Sequence, residues 1–297
     1  EGDQLLGLFH SKVKMDVERI NRNINKIAEE APIPNIRIKV GIYEDVDTNL
    51  SIPVICDRAL MAEKSISKDF KTNVAFYTDE MNQKQLVQRQ MENDFKSAIA
   101  NREFKVYYQP KYDVNTENIV GAEALVRWQK PDGTLISLGA FIPLFESDGL
   151  VVHLDEYVFE NVCQFQKERM ENKLPMVPIS VNLSRVSILF NDVVEHYVDI
   201  VNQKQIPFEC VPIELTESAT LYSEKILEIT DHLVNAGFTL HMDDFGSGYS
   251  SLTSLNELNF STVKLDKSLI DYIDQARGKK IVQQVIDLGH GLDMKVV

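Results

Sequence analysis

The larger part of this chain predicts an α/β fold built on a parallel sheet, and three observations predict it. Apolar strand candidates recur from residue 104 onward, helical segments separate most of them, and five of the strands end in a polar or charged residue. Strands alternating with helices build a parallel sheet, closed as a barrel or laid out as a doubly wound sheet. The first 85 residues read instead as a short α+β block, so the 297 residues divide into 1–85 and 86–297. That division suits the length, since domains run to ~100–200 residues each.

Taken in order, IRIKVGIY (36–43) alternates like a strand. PVICDRALMAEKSI follows as a helix, with Ile55, Ala59 and Ala62 at helical spacing, and NVAFYT (73–78) is a second short strand. Val87, Met91, Phe95 and Ile99 recur every four residues across LVQRQMENDFKSAIANREF, an amphipathic stripe that joins the blocks. FKVYYQPKYDV (104–114) opens the second block, and GAEALVRW, PISVNLS, PIELTES, TLHMDDF and TVKLDKS follow it as strands.

Bulk properties bound the function. Hydrophobic residues at 44% and charged residues at 26% are ordinary for a soluble globular protein with a sizeable core. A net charge of −14 argues against a partner that is a nucleic-acid polymer, which would call for a basic surface. A small anionic ligand remains open, because metal ions reverse the local field. No apolar run approaches the ~20 residues of a membrane span, and no signal peptide is visible. Three widely spaced cysteines, Cys56, Cys163 and Cys210, form no metal-type pattern and suit a reducing compartment, hence the cytoplasm. Glu1 and MKVV both fall inside apparent elements, so both ends are expected to be cut, with room for a membrane anchor upstream.

The chemistry gathers at the strand ends. Glu123, Asn182, Glu214, Asp243 and Lys264 stand where buried strands would not want them. In a parallel barrel the carboxyl ends collect on one face, where active sites form. Carboxylates and an amide brought together there repel unless something positive sits among them, and oxygen-only donors suit a hard cation such as Mg²⁺, Mn²⁺ or Ca²⁺. Asp243 and Asp244 would point to opposite faces of a regular strand. They meet around one centre only if the backbone turns, which Gly246 and Gly248 permit. A bridging pair of acids suggests two metals roughly 3.5–4 Å apart, suited to phosphate ester hydrolysis. A lone acid at a strand end is ordinarily a helix cap, but five in successive strands outweigh that reading. GSGYSS lacks the third glycine of a dinucleotide fingerprint. The histidines, His241 included, show no ligand spacing and read as structural, and Trp128 reads as packing in or near the barrel.

Seven stretches standing in one order, YYQPKYD, EALVRW, FIPLFE, SVNLS, ELTES, DDFGSGYSSL and KLDKS, make residues 86–297 resemble an EAL domain, the bacterial phosphodiesterase that linearises cyclic di-GMP in second-messenger signalling. The resemblance implies a modified (β/α)8 TIM-like barrel whose first strand runs antiparallel to the rest. It implies hydrolysis of cyclic di-GMP to linear pGpG, with Mg²⁺ or Mn²⁺, two ions in all, as cofactor. By motif, Glu123, Asn182, Glu214 and Asp243 resemble the ligands of the first metal, and Asp243 and Asp244 those shared with the second. Lys264 resembles the lysine that orients the attacking water, and Glu217 the glutamate that holds the DDFGSGYSS loop. Gln109 and Arg127 resemble substrate-contacting residues. A catalytically inactive cyclic di-GMP receptor is the alternative, and a homodimer through the EAL domain belongs to the same expectation. The family continues after MKVV with a glutamate that serves the metal centre, so a barrel lacking about its last strand and a half is expected.

The first block resembles the C-terminal part of a GGDEF domain. EGDQL (1–5) stands where GGDEF would, and CDRALMAEK (56–64) resembles its later helix. Glu1, Gln4 and Leu5 depart from that motif, and Gln4 removes a carboxylate of cyclase chemistry. The resemblance therefore implies a degenerate block without cyclase activity, with GTP as its conceivable ligand.

Overall fold

The computed structural model describes residues 5–7, 15–33, 36–67, 69–190, 192–220, 224–247 and 252–297. Of the EGDQL stretch only Leu5 is among them, and Gly248 lies outside them. Contacts divide the chain into two compact units, Glu1–Asn93 and Asp94–Val297.

In the first unit, α1 (Val17–Glu30) is capped by Asp16, whose carboxylate accepts from the backbone of Glu18 and Arg19. β1 (Val40–Ile42) pairs in parallel with β2 (Val74–Phe76), and α2 (Ile52–Ser65) connects them. The alternating run 36–43 forms a ladder of three residues because its partner offers three. Strand and helix touch closely at Gly41, where a Cβ would lie 2.0 Å from the carbonyl oxygen of Ala59. Ile24, Ile42 and Val74 form the small core.

α3 (Asp79–Ala100) begins in the first unit and ends in the second. It starts seven residues before the predicted stripe, with Asp79 and Glu80 in its first turn, where acids suit the positive end of the helix dipole. It stops before Phe104 because Arg102 takes a left-handed conformation (φ 55°) and the amide of Glu103 closes back on Ala98.

The second unit carries β3 (Phe104–Tyr112), β4 (Ile119–Gln129), β5 (Leu135–Ile136), α4 (Leu138–Asp148), α5 (Val151–Glu171), β6 (Ile179–Asn182), α6 (Arg185–Ile188) and α7 (Val193–Lys204). After these come β7 (Ile213–Thr216), α8 (Glu224–Ala236), β8 (Leu240–Phe245), α9 (Leu252–Glu257), β9 (Phe260–Leu265), α10 (Lys267–Ile270), α11 (Ala276–Gly291) and β10 (Lys295–Val296). One sheet holds all eight strands in the order β10-β9-β8-β7-β6-β4-β3, with β5 added beside β4. β3 runs antiparallel to β4, and from β4 through β10 the neighbours along that order are parallel. Among the described residues the sheet is curled and open, with β3 and β10 at its two edges.

Its core runs from Ile179, Val181, Ile213, Leu215, Leu240 and Met242 on the strands to Phe159, Val162, Ile226 and Leu233 on the helices. Trp128 is fully buried against Phe104, Phe141 and Phe145, and its indole N–H donates to Glu103 at 3.0 Å. That bond satisfies the only polar atom of the ring. No helix among the described residues is long and apolar enough to cross a membrane.

Candidate active site

Register places the candidate residues on one face of the sheet. Gln109 on β3 lies opposite Glu123 on β4, and Glu123 is level with Ser180 on β6. Asn182 is level with Glu214 on β7, Glu214 with His241 on β8, and His241 with Thr262 on β9. Since side chains alternate along a strand, Asp243 and Lys264 belong to that same face, two residues beyond His241 and Thr262.

Three carboxylates meet there. Glu123, Glu214 and Asp243 each present an oxygen, all within 4.8 Å of one another. The Lys264 ammonium lies among them, 2.7 Å from Glu123 Oε2, 2.7 Å from Glu214 Oε2 and 3.0 Å from Asp243 Oδ1. Asn182 turns its amide toward the same point, donating to Glu123 Oε1 at 3.1 Å. Burial drives Lys264 towards the neutral amine, but Glu214, Glu123 and Asp243 overcome it and hold its pKa above the ordinary lysine value. Burial likewise raises the Glu214 carboxyl, and His241, Lys264 and Lys111 outweigh it, leaving that group well below the usual carboxylate range.

Asp244 stands apart from the three. It is exposed, its backbone is left-handed (φ 56°), and its amide donates to Asp243 Oδ1 at 2.9 Å. Between Met242 and Phe245 the β8–β9 register slips by one residue. The chain therefore turns at Asp244 itself, in a β-bulge, before the glycines are reached. Partial desolvation by the surrounding turn and the neighbouring charges of Asp243, Asp266 and Glu123 raise the Asp244 carboxyl, against the pull of Lys264. The turn is tied down from β7. Glu217, buried at the start of a short 3₁₀ turn (Glu217–Thr220), accepts the amide of Gly246 at 3.3 Å. Arg127 lies on the Glu123 face four residues on, and one guanidinium nitrogen donates to the carbonyl of Val126. Gln109 is exposed.

Two residues of this face escape a reading of strand ends. Lys111 reaches from β3 to Glu214 Oε1 at 2.7 Å and to Ser180 Oγ at 2.9 Å. His241, read from the sequence as structural, brings Nδ1 to 3.5 Å from Glu214 Oε1, at the limit of hydrogen bonding. Both were legible by alternation, Lys111 two residues after Gln109 and His241 two residues before Asp243. The donor set, carboxylate oxygens with an amide beside them, fits a hard divalent cation. Imidazole lies next to the set rather than within the three-carboxylate group.

The sequence model of the EAL domain matches residues 92–297. The signaling protein YkoW of Bacillus subtilis (strain 168) is 29% identical over 278 residues, covering 92% of this chain and 34% of that protein. The probable cyclic di-GMP phosphodiesterase PdeB of Escherichia coli (strain K12) is 32% identical over 200 residues, 67% of this chain and 38% of that protein. This chain thus spans little more than a third of the length of either. The structure of the PaMucR phosphodiesterase in its c-di-GMP complex matches with a TM-score of 0.65 at 30% identity, over 70% of this chain and 85% of that one.

Proposed function

The chain belongs to the EAL domain family over residues 92–297, and on that premise we propose that it hydrolyses cyclic di-GMP to linear pGpG with the help of divalent cations. The observation that carries the reading is the convergence of Glu123, Glu214 and Asp243 within 4.8 Å, from three strands, around one point. Support also comes from the relatives, one named as a probable cyclic di-GMP phosphodiesterase and one a phosphodiesterase holding that ligand.

In this reading Glu123, Asn182, Glu214 and Asp243 would hold one Mg²⁺ or Mn²⁺, and Asp243 and Asp244 would hold a second. When bound, such ions lower the pKa of a water and offset the charge that develops on the leaving 3′ oxygen. Lys264, already beside Glu123 and Asp243, orients the nucleophile from the side of the carboxylates. Glu217 keeps the turn after Asp243 in place through Gly246. Arg127 and Gln109 face the substrate, the planar guanidinium suiting a phosphate. The same reading places the protein in cytoplasmic second-messenger signalling, pairs two copies through this domain, and takes the first unit as the C-terminal part of a degenerate GGDEF domain.

The test is chromatography of cyclic di-GMP incubated with the protein and Mg²⁺ or Mn²⁺. Linear pGpG is expected, disappearing in excess chelator, with Ca²⁺ failing to support it because its larger, looser shell misplaces the water. Binding of cyclic di-GMP without any cleavage under these conditions would establish a receptor instead.

A further inference from the structure

The two oxygens of Glu214 live in different surroundings. Oε2 faces the carboxylate cluster through Lys264, at 2.7 Å. Oε1 faces the other way, towards Lys111 Nζ at 2.7 Å and His241 at 3.5 Å. Lys111 is itself held, its ammonium donating to Ser180 Oγ at 2.9 Å, while that hydroxyl donates to the carbonyl of Ala122 at 3.2 Å. Among the described ion pairs Lys111 meets no carboxylate of the cluster but this one. Glu214 is completely buried, so Oε1 is out of reach of bulk solvent.

We propose that Lys111 is the residue that sets which divalent cation this site accepts. The proposal rests on the reading of Glu123, Glu214 and Asp243 as cation ligands. A charge-assisted hydrogen bond to a buried carboxylate is among the stronger ones a protein makes. While Lys111 holds Oε1, Glu214 has only Oε2 to turn to a cation, once the Lys264 ammonium that shares it in the metal-free chain moves aside. Mg²⁺ demands a near-octahedral shell at short distance and is content with one oxygen from each carboxylate. Ca²⁺ collects six to eight oxygens and commonly takes both from one carboxylate. Pinning Oε1 therefore costs Ca²⁺ a ligand and costs Mg²⁺ none. Lys111 also repels any cation by its charge, but Mg²⁺ and Ca²⁺ carry the same charge, so repulsion cancels in the ratio of their affinities. Only the number of oxygens offered survives in that ratio.

Titration calorimetry of Mg²⁺ and of Ca²⁺ into the whole chain, for the wild type, Lys111→Met and Lys111→Arg, tests this. Lys111→Met is expected to shift the affinity ratio towards Ca²⁺ by about tenfold, the lower end of what loss of a residue supporting a metal ligand does. Lys111→Arg, which keeps a donor on Oε1, is expected to restore the wild-type ratio. Should Lys111→Met fail to fold by circular dichroism, Ser180→Ala loosens the same lysine and is expected to shift the ratio in the same direction by less. Equal gains for both ions, or no change, would make Lys111 a mere counter-charge and overturn the proposal. A wild-type chain that binds neither ion overturns the underlying reading of the cluster as well, which separates the two failures.

Discussion

Asp155 on α5 illustrates how a single side chain on a neighbouring helix supports a strand end. Its Oδ2 accepts from the amide of Ser184 at 3.0 Å and from the hydroxyl of Ser187 at 2.6 Å, fixing the turn that follows Asn182. Burial raises its carboxyl to about 6 despite those bonds. An unfolded aspartate titrates near ~3.9. Between those values the folded chain holds the extra proton, so this group's contribution is full below ~4 and is lost as pH climbs through about 6, by at most about 3 kcal/mol. Asp155→Asn keeps an acceptor and cannot ionise. Its thermal stability is therefore expected to exceed that of the wild type at pH 8, by less at pH 5, and to meet it only near pH ~4. A variant that melts below the wild type at pH 8 would show the charge to be needed. At this scale much of the site was legible, because a buried strand tolerates Glu123, Glu214 or Lys264 only for a reason. Lys111 and His241 escaped a search confined to strand ends; alternation from Gln109 and Asp243 puts them on the same face, and the register bears that out.

Among the elements, the end of β8 departs most from its sequence pattern. Period-two alternation sets Asp243 and Asp244 on opposite faces, and the glycines beyond them suggested where the chain would turn. The turn comes earlier, at Asp244 (φ 56°), since aspartate tolerates the left-handed region better than most residues and a bulge against β9 supplies the room. No local signal announces a bulge that depends on a neighbouring strand. Gly246 completes it with φ 94°, and a Cβ there would lie 2.3 Å from Leu269 Cδ1. Gly246→Ala is expected to lose roughly 1–3 kcal/mol of stability in urea unfolding, from backbone strain. Hydrolysis is expected to fall further than stability, because the same residue donates to Glu217. An alanine variant as stable and as active as the parent would remove the turn from the account. The elements themselves followed their periodicity well; their ends did not, as with α3, whose boundaries come from caps rather than from its apolar stripe.

For the whole molecule, the division after Asn93 falls inside α3, whose stripe continues without a break in composition, whereas the sequence suggests a boundary at 85. The parallel direction of the strands was readable from the βα alternation, and the antiparallel first strand from the family resemblance. Curling of the sheet came from the same resemblance, which implied an incomplete barrel, and not from the alternation, which left barrel and doubly wound sheet both open. Gln4 leads us to expect no cyclic di-GMP from purified protein and GTP; appearance of that product would return cyclase chemistry to the first unit. The chain carries a net charge of −14, and at the site Glu123, Glu214, Asp243 and Asp244 outnumber Lys111 and Lys264. Removing one acid should thus relieve repulsion in the metal-free protein while weakening its hold on a cation. The decisive measurement is thermal unfolding of the wild type and Asp243→Asn, each in chelator and in Mn²⁺ at about a hundred times its dissociation constant. Mn²⁺ should stabilise the wild type by about 2.7 kcal/mol, several degrees in Tm. Asp243→Asn should melt level with the wild type or above it in chelator and gain less than half that shift. A wild type that does not respond to Mn²⁺, or a variant that responds equally, would contradict the claim that these carboxylates form a cation site.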